Sequence, residues 1–79
     1  MQLGKYLAEK RKNKGLSQGQ VGKLLGYTSS QFISNYERGL CSPVIGSAKK
    51  LAKILGVPKT EMLDMIMADK VRKIRKKFN

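Results

Sequence analysis

Apolar residues in this chain recur at three- and four-residue spacings, and glycines cut that rhythm into short lengths; nothing else narrows the possible folds as far. From Gln2 to Lys14, Leu3, Tyr6 and Leu7 fall on one helical face, and Gly15 ends the segment. Ser17, a good N-cap, opens a second short segment that is expected to turn Val21, Leu24 and Leu25 inward before Gly26 stops it. A third runs from about Ser29 to Arg38 and closes at Gly39. The fourth, Ser47 to Leu55, presents Ala48, Leu51, Ala52 and Leu55 and halts at Gly56; Pro43 would also suit a start near Val44. The fifth begins at Pro58 or Lys59 and extends to about Lys76 or Lys77. Strand-like alternation is absent, so the expected fold is all-α, a compact five-helix domain.

Charge constrains the partner. Seventeen Lys and Arg against five Asp and Glu leave a net charge of +12 on 79 residues. Such self-repulsion is best tolerated when a polyanion cancels it, with nucleic acid as first candidate and an anionic membrane surface as second. The single cysteine, Cys41, permits no disulfide framework, and with no histidine present no metal site is expected. Five scattered carboxylates, no histidine and no phosphate loop ending in Lys-Ser/Thr offer no catalytic constellation, so neither enzymatic activity nor a cofactor is expected. Met1 to Lys5 lack the apolar run of a signal peptide, and no stretch approaches the roughly 18 apolar residues of a membrane span; a cytoplasmic location and no membrane partner follow as expectations.

The second and third segments carry the functional signal. Two short helices joined by a glycine turn make a helix-turn-helix, here at 17–38. Gly22, mid-helix, suits a close crossing with the next helix. At about 100° per residue, Ile33, Tyr36, Leu40 and Phe32 share one side of the third segment, with Glu37 about 40° from Ile33. The opposite side holds Thr28, Gln31, Ser34, Asn35 and Arg38, all hydrogen-bonding residues; Gln, Asn and Arg in particular suit paired contacts with base edges. An ordinary solvated helix would more often carry Lys and Glu there.

Ser17-Gln18, Val21-Gly22, Gly26, Ile33-Ser34-Asn35, Glu37-Arg38-Gly39 and Pro43 together resemble the phage-repressor (Xre-type) helix-turn-helix family, over about Leu3 to Leu63. The resemblance implies a five-helix core and a third helix that enters the major groove of double-stranded DNA, with Ser30, Gln31, Ser34 and Asn35 reading bases. It further implies DNA-backbone contacts from Gln18, Lys23, Thr28, Ser29, Arg38 and Ser42. One departure stands out: a residue more than the family's commonest spacing lies between Gly26 and Gly39. Placed in the Tyr27–Ser30 turn, it leaves the N-cap of the third helix open among Thr28, Ser29 and Ser30. It leaves Phe32 open too, between packing beside Tyr36 and touching a thymine methyl or sugar.

Arg11, at the core boundary of the first helix, and Glu37, on the inward side of the third, would each be costly to bury alone and are expected to pair. Similar domains have an Arg–Glu bridge at the matching positions, where its role is structural.

The expected domain covers 1–63, and 64–79 form a basic amphipathic helical extension. Leu63, Ile66, Met67, Val71, Ile74 and Phe78 make an apolar stripe there, widened by Met62 and Met65 and flanked by Lys70, Arg72, Lys73, Arg75, Lys76 and Lys77. It could serve self-association through Leu63, Ile66, Met67, Val71 and Ile74, pack on the domain's own core, or lie against a membrane or an acidic partner. The leading expectation is a homodimeric, sequence-specific transcriptional regulator, a repressor, on a two-fold operator. The alternatives are an antitoxin-type protein that binds a protein partner and represses its own operon, and a sequence-neutral nucleic-acid-binding protein.

Overall fold

The computed structural model describes residues 2–78. Five helices follow one another: α1 (Leu3–Asn13), α2 (Gln18–Leu24), α3 (Gln31–Glu37), α4 (Ala48–Leu55), preceded by a single 3-10 turn at Ile45–Ser47, and α5 (Lys59–Phe78). Their ends fall where the glycines stand: Gly15, Gly26, Gly39 and Gly56 all have positive φ. Ser17 caps α2 through a full capping box, its hydroxyl accepting from the Gln20 N–H while the Gln20 side chain accepts from the Ser17 N–H.

Packing follows the apolar faces. α1 and α2 each lie on α3, and α4 lies on α5, which also reaches back to α1. Leu3, Tyr6, Leu7, Val21, Ile33, Tyr36, Leu51, Leu55, Met62 and Ile66 share one core with Ala48 and Ala52. Two glycines permit its tightest crossings. A Cβ on Gly22 would lie 3.0 Å from the Ser29 carbonyl oxygen, so α2 crosses the start of α3 with no side chain between them. At Gly4 a Cβ would stand only 2.3 Å from the Glu37 carbonyl oxygen, a closeness that only glycine allows between α1 and the end of α3.

Three inward assignments are corrected. Leu24 is 52% exposed, because a seven-residue helix covers the core with little more than Val21 and the partly buried Leu25. Leu40 is exposed as well, since the chain has left the helix at Gly39. Phe32 does not pack beside Tyr36: half-exposed, its ring lies 4.8 Å from that of Tyr27 at 39°. The Tyr27 hydroxyl instead meets that of Tyr36 at 3.0 Å, and burial followed by this bond raises the Tyr36 pKa.

The stripe on α5 divides. Met62, Ile66 and Asp69 face inward, and Ile66 is 0% exposed, so it belongs to the core and not to a surface for a second copy. Leu63 is partly buried against that core, whereas Met67, Val71, Ile74 and Phe78 are exposed. The helix runs unbroken through the boundary expected at 63, and buried residues continue to Asp69. The Tyr6 hydroxyl donates to Glu61, fastening α1 to the first turns of α5; burial and then this carboxylate raise the phenol's pKa.

Candidate nucleic-acid interface

α3 buries Ile33 and Tyr36, and this fixes which of its sides faces outward. Its rotation is locked from behind by one carboxylate. Arg11 donates from Nε to Glu37 Oε2 at 2.6 Å and from Nη2 to Oε1 at 3.0 Å, while its Nη1 donates to the Leu16 carbonyl at 2.9 Å. Gln18 adds a bond from Nε2 to Glu37 Oε1 at 3.0 Å. Side-chain exposures of 12% and 8% for Arg11 and Glu37 make this a largely buried, two-pronged pair. The bond to Glu37 raises the Arg11 pKa against the opposing effect of burial. α1, the α1–α2 loop and α2 thus converge on the last turn of α3.

The outward side is ordered too. Gln31 Nε2 donates to Asn35 Oδ1 at 2.9 Å, and Arg38 Nη2 donates to the same oxygen at 3.0 Å. With its carbonyl occupied twice, Asn35 has its NH2 group left to donate, and Gln31 keeps its carbonyl oxygen as an acceptor. A donor beside an acceptor, one helical turn apart, is the pattern that meets a base edge in the major groove. Ser34 is half-buried beside them.

Ser30 occupies the N-cap of α3 in helical conformation without a side-chain capping bond; Ser29 Oγ accepts instead from the Gln31 N–H at 3.3 Å. Thr28, Ser29 and Ser30 line a shallow hollow with Gly19, Lys23 and Tyr27. The fold therefore gathers Lys23 of α2 and the hydroxyl-bearing residues of the turn around one hollow at the start of α3. Gln18 stands apart from that recess, one of its amide hydrogens already given to Glu37.

At Ser42 the hydroxyl donates to Asp69 and accepts from Lys73 Nζ at 2.9 Å, so in the free chain its proton is already given within the fold. Asp69 is also held by Arg72 at 2.7 Å and by Lys73 at 2.9 Å. Burial alone pushes this carboxyl up, but the bonds from Ser42, Lys73 and Arg72, with the Lys73 charge, outweigh it and hold the pKa down to about 2. The loop after the third helix is thus tied to α5 by a cluster that the sequence reading did not single out. The available signal was spacing: Asp69 follows Met62 and Ile66 on the inner stripe, where a carboxylate needs partners. Among the described residues no buried side-chain polar atom lacks a partner, and no group of three or more Cys, Asp or Glu side chains comes together. Among the described residues no helix is long and apolar enough to cross a membrane.

Residues 7–62 match the helix-turn-helix family. An HTH-type transcriptional regulatory protein of Aeropyrum pernix is 45% identical over 60 residues, 76% of this chain and 18% of that protein. The HTH-type transcriptional regulator PuuR of Escherichia coli is 41% identical over 58 residues, 73% of this chain and 31% of its own length; PuuR of Shigella flexneri matches equally. The chain thus aligns with less than a third of the length of these curated relatives. No solved structure gives a significant match. With α2 and α3 built around the glycine turn and the match spanning four helices and the start of the fifth, the chain belongs to the helix-turn-helix family of phage-repressor type.

Proposed function

We propose that this chain is the DNA-reading module of a transcription regulator, a repressor, that lays α3 in the major groove, with two copies on a two-fold operator. The observation that carries this reading is the outward side of α3. Gln31, Asn35 and Arg38 form a hydrogen-bonded row there, while the opposite side is locked by Arg11 and Glu37. Side chains ordered before binding lose less freedom on contact, which favours discrimination among bases. In this reading Gln31 and Asn35 read base edges, with Ser30 and Ser34 beside them, while Lys23, Thr28, Ser29 and Arg38 lie along the phosphates. Gln18 can reach a phosphate with its remaining amide hydrogen. At Ser42 the contact passes from the hydroxyl to the loop backbone and to Lys73. The names of the relatives, transcriptional regulators all, agree with it.

Selection of bound sites from random duplexes tests the reading. An enriched two-fold motif is expected. Asn35→Ala and Gln31→Ala should each weaken binding to that motif by about 1–3 kcal/mol and leave random DNA nearly unaffected. Lys23→Ala should weaken both alike. Equal loss on specific and random DNA for Asn35→Ala would remove Asn35 from base reading.

A further inference from the structure

Phe32, in the first turn of α3, is 50% exposed and stands outside the core cluster. Its ring rests on that of Tyr27, 4.8 Å away and tilted by 39°. Tyr27 is itself anchored, since it packs against the core and its hydroxyl meets that of Tyr36. Tilted aromatic pairs attract beyond the area they cover, so the two rings form a fixed platform with one apolar face left in water. The additional residue assigned to the Tyr27–Ser30 turn lies between the two rings in sequence, which makes the platform a feature of this chain's own turn.

The surroundings say what covers that face. Phe32 lies about 60° round α3 from Asn35 and about 100° from Gln31, so it borders the hydrogen-bonding row. Tyr27 also lines the hollow with Lys23, Thr28, Ser29 and Ser30. The aromatic pair therefore stands between side chains suited to base edges and side chains suited to phosphates. The apolar group that the major groove displays is the 5-methyl of thymine, on the base edge that faces its own strand's backbone.

We propose that Phe32, propped by Tyr27, covers a thymine 5-methyl in each half-site and selects thymine at the pair beside those met by Gln31 and Asn35. The proposal deepens the reading of α3 given above and rests on it. Gln31 and Asn35 discriminate by donors and acceptors; Phe32 adds apolar discrimination that neither can supply. Cytosine at that position lacks the methyl and sets an amino group beside the ring, which offers it no oxygen acceptor.

The test replaces each thymine of the selected site in turn by deoxyuridine, which removes the methyl and leaves the pairing edge as it was. Affinity of the full chain is read by fluorescence anisotropy at one salt concentration. For the wild type, one thymine per half-site should be sensitive, its replacement weakening binding about fourfold, the worth of one covered methyl. Phe32→Ala should bind the thymine duplex more weakly and be blind to the same replacement. Phe32→Leu, still apolar, should keep part of the discrimination. Circular dichroism checks that both variants retain the helices of the wild type, as substitution at a half-exposed position should allow. A wild type indifferent to every methyl overturns the assignment. So does a thymine whose methyl matters equally to the wild type and to Phe32→Ala, because the ring then lies against sugar or backbone. If the selected motif still depends on Asn35, either result leaves base reading by α3 standing without this contact; the absence of any selected motif removes both.

Discussion

Arg11 is the residue on which the orientation of α3 most depends. Its guanidinium places three donors on Glu37 and the Leu16 carbonyl, and Gln18 fills the remaining approach to Glu37. Removing one partner of a buried pair strands the other charge, so Arg11→Ala should cost about 3–5 kcal/mol in urea unfolding. Replacing both residues with apolar ones of similar volume should recover much of that loss, because the desolvation cost disappears with the charges. A single-variant cost below about 0.5 kcal/mol would mean that the pair behaves as a solvated surface contact. This constellation could be anticipated from two charged residues sitting on the inward sides of two helices. Gly4 could not: its need for a bare Cα arises from the Glu37 carbonyl, thirty-odd residues away, and nothing local to Gly4 signals that neighbour.

At the scale of the helices, punctuation was legible and partnership was not. The positive-φ glycines ended segments where expected, since the conformation that ends a helix is a local property. Which turns of α5 face inward depends on what α1 and α4 leave uncovered, and a stripe this wide permits several answers. Met62 and Ile66 went to the core, and Asp69 followed them to meet Ser42, Arg72 and Lys73. The Asp69 cluster has a pH signature. The carboxyl titrates at about 2 folded against 3.8 in its ordinary state, so its ionised form is the one the fold stabilises. That stabilisation, about 2 kcal/mol, is fully present above about pH 4 and is lost as the pH falls from there through about 2. Asp69→Asn should flatten the stability curve across this window in pH-dependent urea melts. An unchanged acid limb would show that Asp69 titrates the same way folded and unfolded.

Over the whole molecule, the principal extents are 37 × 25 × 20 Å, and α5, about 30 Å long at 1.5 Å per residue, accounts for most of the greatest one. The core gathers at one end of that helix, and its basic second half extends beyond. The exterior is shaped by where the acids went. Asp69 is buried and Glu37 largely so, each in a pair, and Glu61 is engaged by Tyr6, leaving Glu9 and Asp64 as the carboxylates without such ties among the described residues. The cations held at Glu37 and Asp69 are the few so neutralised; most of the seventeen Lys and Arg meet solvent. A surface of this kind carries loosely held anions, as the duplex carries condensed cations, and contact between the two sets ions free. Association with DNA should therefore be driven chiefly by the entropy of ion release. The logarithm of the affinity should fall linearly with the logarithm of salt concentration, by about 0.9 for each phosphate covered. A titration series across salt concentrations reads that slope directly as the number of phosphates one copy covers, and a flat line would mean that the acids buried in the fold have no bearing on what it binds.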